Sequence, residues 1–427
     1  MDQFVIEGGV ALNGVVTPSG NKNAALPMLA ACLMTDQPVV LRNVPAIRDV
    51  ITMRQLLADL GVCVETIDPH TWRIQAANIS KVDPDPELCQ QIRASILLAG
   101  PMLVRAGELE LPLPGGDVIG RRRLDTHFLA LNGFGAEVRH NSFIELKAPR
   151  GLKGGNILLD EASVTATENA IMAASMAQGV TVLRNAASEP HIQELCQFLN
   201  QLGARIKNIG SNTLEIEGVD RLGGGEFTIG ADYLEVVSFV GAAAITGGEI
   251  RIRNAGPEYL GMVRLVFKRL GVHWIVDGED ILVPTNQSLR VVSDLGGAIP
   301  EIKNNIWPAF PTDLMSIAIV IATQCHGSAL FHDWMYSGRM FFIDKLAGMG
   351  ARIILCDPHR CLVQGPAQLL GEKLESPDIR AGMAILLAAL AARGTSTIRN
   401  IGQIERGYER IDEKLRGLGA RIERVGL

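Results

Sequence analysis

The stretch LLADLGVCVE, residues 56–65, reads as the end of a helix, a glycine at 61, and a strand that starts at once. Glycine in that place suits the left-handed turn that stops a helix and redirects the chain into a strand. The same pattern recurs as LNGFGAEVRH (131–140), LNQLGARIKN (199–208), FKRLGVHWIV (267–276), LAGMGARIIL (346–355) and LRGLGARIER (415–424). The closing glycines, Gly61, Gly135, Gly203, Gly271, Gly350 and Gly419, stand 68 to 79 residues apart. Short solenoid repeats, with periods of about 20–50 residues, do not fit that interval.

A second mark keeps nearly the same interval. A helix rich in small residues gives way to a strand closing on Arg-Asn: GVTVLRN (179–185), GEIRIRN (248–254), GTSTIRN (394–400) and, in first-repeat form, PVVLRN (38–43). Alternation within these segments reads as half-buried sheet. The second and fifth units are degenerate in this mark. The helices over Ala170–Ala177 and Ala381–Ala392 are apolar nearly all round and are expected inside. Six units of helix, strand, helix and further strands make an α/β protein with three units in each of two domains. Any duplicated α/β protein shares part of this pattern, but six copies are much narrower.

The length of 427 residues also argues for two cores. With 47% hydrophobic and 20% charged residues the chain is globular rather than disordered. A net charge of -6 does not favour nucleic acid as a partner, so any anion site has to be a local cluster. The seven cysteines are odd in number and scattered, which reads as free buried thiols in a reducing compartment. Cys356-Asp-Pro-His359-Arg-Cys361 suggests a metal clip but lacks a second ligand pair, so a hairpin explains it better and no metal is expected. MDQFVIEGG has no basic region or long apolar run, and the longest apolar stretches are too short for a bilayer. A cytoplasmic chain without membrane insertion is expected.

Four polar segments interrupt the repeats. In SGNKNAALP (19–27), Lys22 precedes an apolar helix, where free backbone N–H groups favour anions; a solvated turn lysine is the bland alternative. LPGGDVIGRRR (113–123) is a Pro- and Gly-rich loop long enough to act as a lid, followed by three arginines suited to phosphate and carboxylate. In WPAFPTD (307–313), Asp313 precedes a helix from Leu314 to Thr323, with an N-cap or first-turn acid as the plain alternative. ERGYER (405–410) precedes the last helix, with surface ion pairs as its plain alternative. No Walker loop, GxSxG or strand-linked GxGxxG is present.

Together with IRASILLAGP (92–101), LDTHF (124–128), SVTATENA (163–170), RNAASEP (184–190) and ERGYERIDEKLRGLGARIERV (405–425), these segments resemble the enolpyruvyl transferase family over the whole chain. The shikimate-pathway members are similar more distantly. The resemblance implies two inside-out α/β barrels built from six repeats of about 70 residues, helices central and sheets outside. One domain would be discontinuous, residues 1–21 and 232–427, carrying Asp313 and Arg406. The other, residues 22–231, would carry the lid loop at 111–123. The active site would lie between them. The implied reaction passes the enolpyruvyl group of phosphoenolpyruvate to the 3-hydroxyl of UDP-N-acetylglucosamine with release of phosphate, the first committed step of peptidoglycan synthesis. Those two small molecules are the only partners implied, with no cofactor; nothing in the sequence speaks to oligomeric state. The hydroxyl adds to C2 of the donor while C3 gains a proton, and phosphate and a C3 proton then leave, so two acid/base groups are needed.

By position in the family motifs, Asp117, Asp313, Lys22 and Arg406 form the catalytic set. Lys22, Arg122 and Arg406 would bind the phosphate and carboxylate of phosphoenolpyruvate, joined by Arg93 and Arg380. Asn23 and Asp313 would hold the sugar, with Asp313 as base. Asp125, His127, Ser163, Val164 and Thr165 would contact uracil and diphosphate, and Arg339 is a further substrate contact. Asp117 stands where most of the family has the lid-loop cysteine; a free carboxyl titrates near about 3.9 and a thiol near about 8.5. A carboxylate is also a weak nucleophile, so covalent inactivation by fosfomycin is not expected. Arg122-Arg123 replaces Arg-Pro, Glu161 a lysine, Thr165 a glycine, Tyr233 an arginine, and Ser337-Gly338 a Glu-Asn or Glu-Ser. Several of these changes fall on the nucleotide side, while the phosphoenolpyruvate side is intact. They leave open a transferase with another nucleotide or nucleotide-sugar acceptor, or a silent regulatory paralogue. RNA 3′-phosphate cyclases share the repeat logic but need a late histidine nucleophile, and the last histidine here is His359.

Overall fold

The computed structural model describes residues 2–116 and 123–426. It divides into two compact units, one of residues 20–116 and 123–230, the other of residues 2–19 and 231–426.

The repeat marks are backbone devices. All six closing glycines have positive φ, from 76° at Gly271 to 106° at Gly203, and each follows a helix and precedes a strand. Asn43, Asn185, Asn254 and Asn400 also have positive φ, between 47° and 57°, directly or within two residues after their strands. Asparagine tolerates that left-handed geometry better than most residues with a Cβ. The two marks therefore set the same two turns in repeat after repeat.

Each unit holds three of the six sheets. In the unit of residues 20–230, Gly225–Thr228 pairs parallel with Val39–Arg42, and Asn156–Leu158 pairs parallel with Val180–Arg184. Its middle sheet has three described strands, in the order Glu108–Pro112, Phe143–Lys147, Glu137–His140. That is the repeat whose strand mark is degenerate. In the other unit, Gln3–Glu7 lies between Thr395–Arg399 and Arg421–Val425, with Phe4 opposite Ile398 and Arg424. The hairpin expected at 356–361 is present as Ile353–Asp357 and Arg360–Gly365.

The inner layer is helical. Ile379–Ala391 buries all but its last residue, and Met315–Thr323 is buried along its whole length. These two pack on each other and on Tyr233–Thr246. Lys22–Ala31, Ala99–Arg105 and Val164–Ser175 are buried in the same way in the other unit. Helices with no polar face can lie only inside, and the half-polar sheets cover them. Amphipathic helices such as Arg48–Asp59 and Pro190–Gln201 complete the outer layer. Among the described residues, no helix is long and apolar enough to cross a membrane.

Three expectations need correction. Leu111 and Pro112 belong to a strand, paired with Ile144 and Phe143, so the loop begins at Leu113. The helix expected from Leu314 starts at Met315, after a 3-10 turn at Thr312–Leu314. Five cysteines are buried, but Cys63 and Cys356 are exposed, each on the outer strand of a hairpin.

Candidate active site

In the unit of residues 20–230, Lys22 is the first residue of its helix. Asn21 caps it, its side-chain oxygen accepting from the Asn23 amide at 2.8 Å. Lys22 is 7% exposed and its Nζ lies 2.7 Å from Asp49 Oδ2. That burial removes the solvated-turn reading. A buried ammonium without a counter-charge costs several kcal/mol, so Asp49 is what makes a charged Lys22 tolerable there. Asp49 sits on the next helix, and no motif points to it. Asn23 is half-buried on the first turn.

Arg93 opens the turn Arg93–Leu98 and donates from Nη2 to the Arg123 carbonyl at 3.1 Å. Arg123, the extra arginine, pairs with Asp125 at 3.2 Å, Asp160 at 2.7 Å and Glu161 at 3.8 Å. Two of the sequence departures, Arg123 and Glu161, thus meet in one exposed ion-pair group. Thr126 Oγ1 donates to Asp160 at 2.7 Å and secures the same corner.

His127 is 1% exposed. Asn169 Nδ2 donates to the Ile96 carbonyl at 2.9 Å, and its Oδ1 accepts from the Gly100 amide at 2.7 Å, which fixes the amide orientation. Asn169 Nδ2 therefore also donates to His127 Nδ1 at 3.0 Å. The ring proton then belongs on Nε2, which donates to Thr165 Oγ1 at 3.0 Å. Burial, with the Arg93 charge adding to it, pushes the His127 pKa down to about 3, so the ring is neutral. Ser163 and Val164 precede Thr165 at the start of Val164–Ser175; Ser163 makes no side-chain capping bond. Asp125, at the start of its own helix, is exposed.

In the other unit, Asp313 lies on the turn Thr312–Leu314. Its Oδ1 accepts from Arg339 Nη2 and its Oδ2 from Arg380 Nε at 3.2 Å. Asp313 does stand in the first turn, as the plain alternative had it, and its carboxylate is in addition held by two guanidiniums. Arg380 is 6% exposed, its helix capped by Asp378, which accepts from the Arg380 and Ala381 amides at 2.8 and 3.0 Å. Its guanidinium lies 5.7 Å from the Tyr408 ring centroid, and the Tyr408 hydroxyl bonds Ser238 Oγ at 3.2 Å. Burial lowers the Arg380 pKa, but Asp313, Tyr408 and Asp232 more than offset it, so the side chain stays a cation. Arg339 is kept charged in the same way, burial being outweighed by Asp313 and Asp378. Among the described residues, Arg339 Nε and Arg380 Nη1 are buried without a hydrogen-bond acceptor. That is unmet donor capacity on two cations beside a pocket lined by Thr312, Ser316, Asp333, Arg339, Asp378 and Arg380.

Arg406 closes the turn Ile401–Arg406, is 9% exposed, and donates to Gln403 Oε1 at 3.3 Å. The next residue has to be small: a Cβ on Gly407 would stand 2.6 Å from Ile379 Cγ2 and 3.8 Å from Arg380 Nη1. The 405–410 segment is divided. Glu405 and Arg410 form exposed ion pairs with Arg424 and Glu413, whereas Arg406, Tyr408 and Glu409 are buried. The expected residues Asp117 and Arg122 lie outside the described residues.

The fold is that of the enolpyruvyl transferases. The enolpyruvyl transferase NikO of Streptomyces tendae superposes with a TM-score of 0.87 over 99% of both chains at 23% identity. EPSP synthase of Acinetobacter baumannii superposes at 0.78 over 100% of both, at 18% identity. The family model for EPSP synthase (3-phosphoshikimate 1-carboxyvinyltransferase) matches residues 6–415. A UDP-N-acetylglucosamine 1-carboxyvinyltransferase of Bradyrhizobium diazoefficiens is 56% identical over 99% of this chain and 98% of its own. Relatives of the same name in Treponema denticola and Borreliella burgdorferi are 52% and 51% identical, covering 99% and 100% of this chain and 99% of their own. The chain belongs to the family of UDP-N-acetylglucosamine 1-carboxyvinyltransferases.

Proposed function

We propose that this chain transfers the enolpyruvyl group of phosphoenolpyruvate to the 3-hydroxyl of UDP-N-acetylglucosamine and releases phosphate. Full-length relatives at 51–56% identity carry that activity in their names, which favours this acceptor over another nucleotide sugar and over a silent copy. The two compact units serve as its two domains. Lys22, Arg93, Arg122, Arg380 and Arg406 supply positive charge for the donor's phosphate and carboxylate, and such preorganised charge also stabilises the departing phosphate. Arg339 is a further substrate contact. Asn23 holds the sugar. Asp125, His127, Ser163, Val164 and Thr165 serve the uracil and diphosphate. Asp117 is the proton donor to C3; as a poor nucleophile it also leaves the enzyme resistant to fosfomycin. The free thiols suit the cytoplasm.

The observation that carries this reading is Asp313, a carboxylate held between two largely buried arginines beside a pocket. As the base, it takes the proton of the sugar hydroxyl as the C–O bond forms. Asp313→Asn keeps the shape but cannot accept that proton. Turnover should fall by about two to four orders of magnitude with substrate binding retained. Near-normal turnover in this variant would reduce Asp313 to a structural partner of Arg339 and Arg380.

A further inference from the structure

Behind Asp313 lies a second, fully buried carboxylate that the reaction does not use. Asp333 and Asn304 are both 0% exposed. Asp333 Oδ1 accepts from Asn304 Nδ2 and Oδ2 from Thr312 Oγ1, both at 2.7 Å. The Asp333 amide donates to the His359 carbonyl at 2.8 Å, and its carbonyl accepts from His359 Nδ1 at 2.7 Å. Asn304 is itself fixed: its Oδ1 accepts from the Trp334 amide at 3.1 Å and its carbonyl from Trp334 Nε1 at 2.9 Å. Three elements meet at this residue: the ends of the parallel strands Glu301–Lys303 and Gly327–His332, and the tip of the 353–365 hairpin, which holds the Asp333 backbone. From outside that platform the carboxylate holds the hydroxyl of Thr312, the residue before Asp313, and its charge also bears on Arg339.

We propose that Asp333 is a positioning residue which, through the Thr312 hydroxyl, fixes the turn that aims the Asp313 carboxylate at Arg339 and Arg380. The inference rests on the reading of Asp313 as the base. A 3-10 turn of three residues has little rigidity of its own, and a buried carboxyl group hydrogen-bonded to it makes an anchor for it. Thr312 supplies the hydroxyl that Asp333 needs, and valine at 312 would match its shape without that hydrogen bond.

The test compares Thr312→Val and Thr312→Ser with wild type by crystal structure, kcat, KM for both substrates, and thermal unfolding. Thr312→Val should shift the Asp313 carboxylate off Arg380 and lower kcat by about 10- to 100-fold, a typical penalty for a misplaced group. KM for both substrates should stay within about threefold, because the cations themselves are untouched. Thr312→Ser should restore both geometry and kcat. Where the valine variant does not fold, Thr312→Ala gives the same readouts. An Asp313 carboxylate still on both arginines in the valine variant, with wild-type kcat, would overturn the proposal, and so would a serine variant as impaired as valine. Asp313→Asn run alongside separates the two claims. Normal turnover there would remove the base assignment, while the crystal geometry of Thr312→Val would still decide the positioning claim.

Discussion

Asn169 leaves His127 no choice of tautomer, and burial leaves it no charge. A histidine whose folded pKa is near 3, against about 6.5 when unfolded, binds fewer protons folded than unfolded between those values. Stability linked to this ring is fully present above about pH 6.5 and is lost as pH falls toward 3, at about 1.4 kcal/mol per pH unit. Comparing wild type with His127→Gln by denaturant unfolding from pH 7 to pH 4 isolates that slope from the carboxylates. The variant's stability should fall less steeply with acid. Parallel curves would mean the ring is not held neutral. Single residues were unevenly readable from sequence. His127 is legible from its motif, but the role of its partner Asn169 is not, and Asp49 and Asp333 carry no local signal. Each becomes important only because folding brings it to a distant cation or turn.

At the scale of elements, the Ala-rich helices could be read as internal because they lack a polar face, and the turn glycines because a left-handed residue is needed where a helix stops. The lid boundary was less readable: LPLPGG looks like loop throughout, yet Leu111 and Pro112 end a strand whose partner residues lie 31 to 33 positions further on. The helix Val164–Ser175 holds a conflict that its sequence does not announce. Glu168 is 1% exposed, and its Oε1 has no hydrogen-bond partner among the described residues. Burial, helped by the Glu189 charge, raises its pKa well above the ordinary range. The unfolded carboxyl ionises near its usual value, so folding grows less favourable as pH rises from there through the folded value. Glu168→Gln removes that penalty without changing volume. Its melting temperature should exceed that of wild type at pH 8, with the gap closing as pH approaches 4.5. A less stable variant at pH 8 would show that the ionised carboxylate has favourable partners.

For the whole molecule, the repeat is the strongest signal because all six copies solve the same turn at Gly and four of them a second one at Asn. What sequence periodicity could not show is how the chain closes each sheet. Gln3–Glu7 sits between two strands from the far C-terminus, and Gly225–Thr228 joins the sheet of Val39–Arg42. These pairings span most of a unit and leave no trace in local pattern. The central claim is the reaction itself, and the nucleotide-side changes at Arg123, Glu161 and Thr165 are where it is most exposed. The direct measurement is phosphate release from phosphoenolpyruvate with UDP-N-acetylglucosamine, 3-phosphoshikimate or UDP-glucose as acceptor, with product mass read in parallel. The account predicts phosphate release with UDP-N-acetylglucosamine and an equal amount of its enolpyruvyl ether, and none with the other two. Release with 3-phosphoshikimate alone, or with no acceptor of the three, would contradict it.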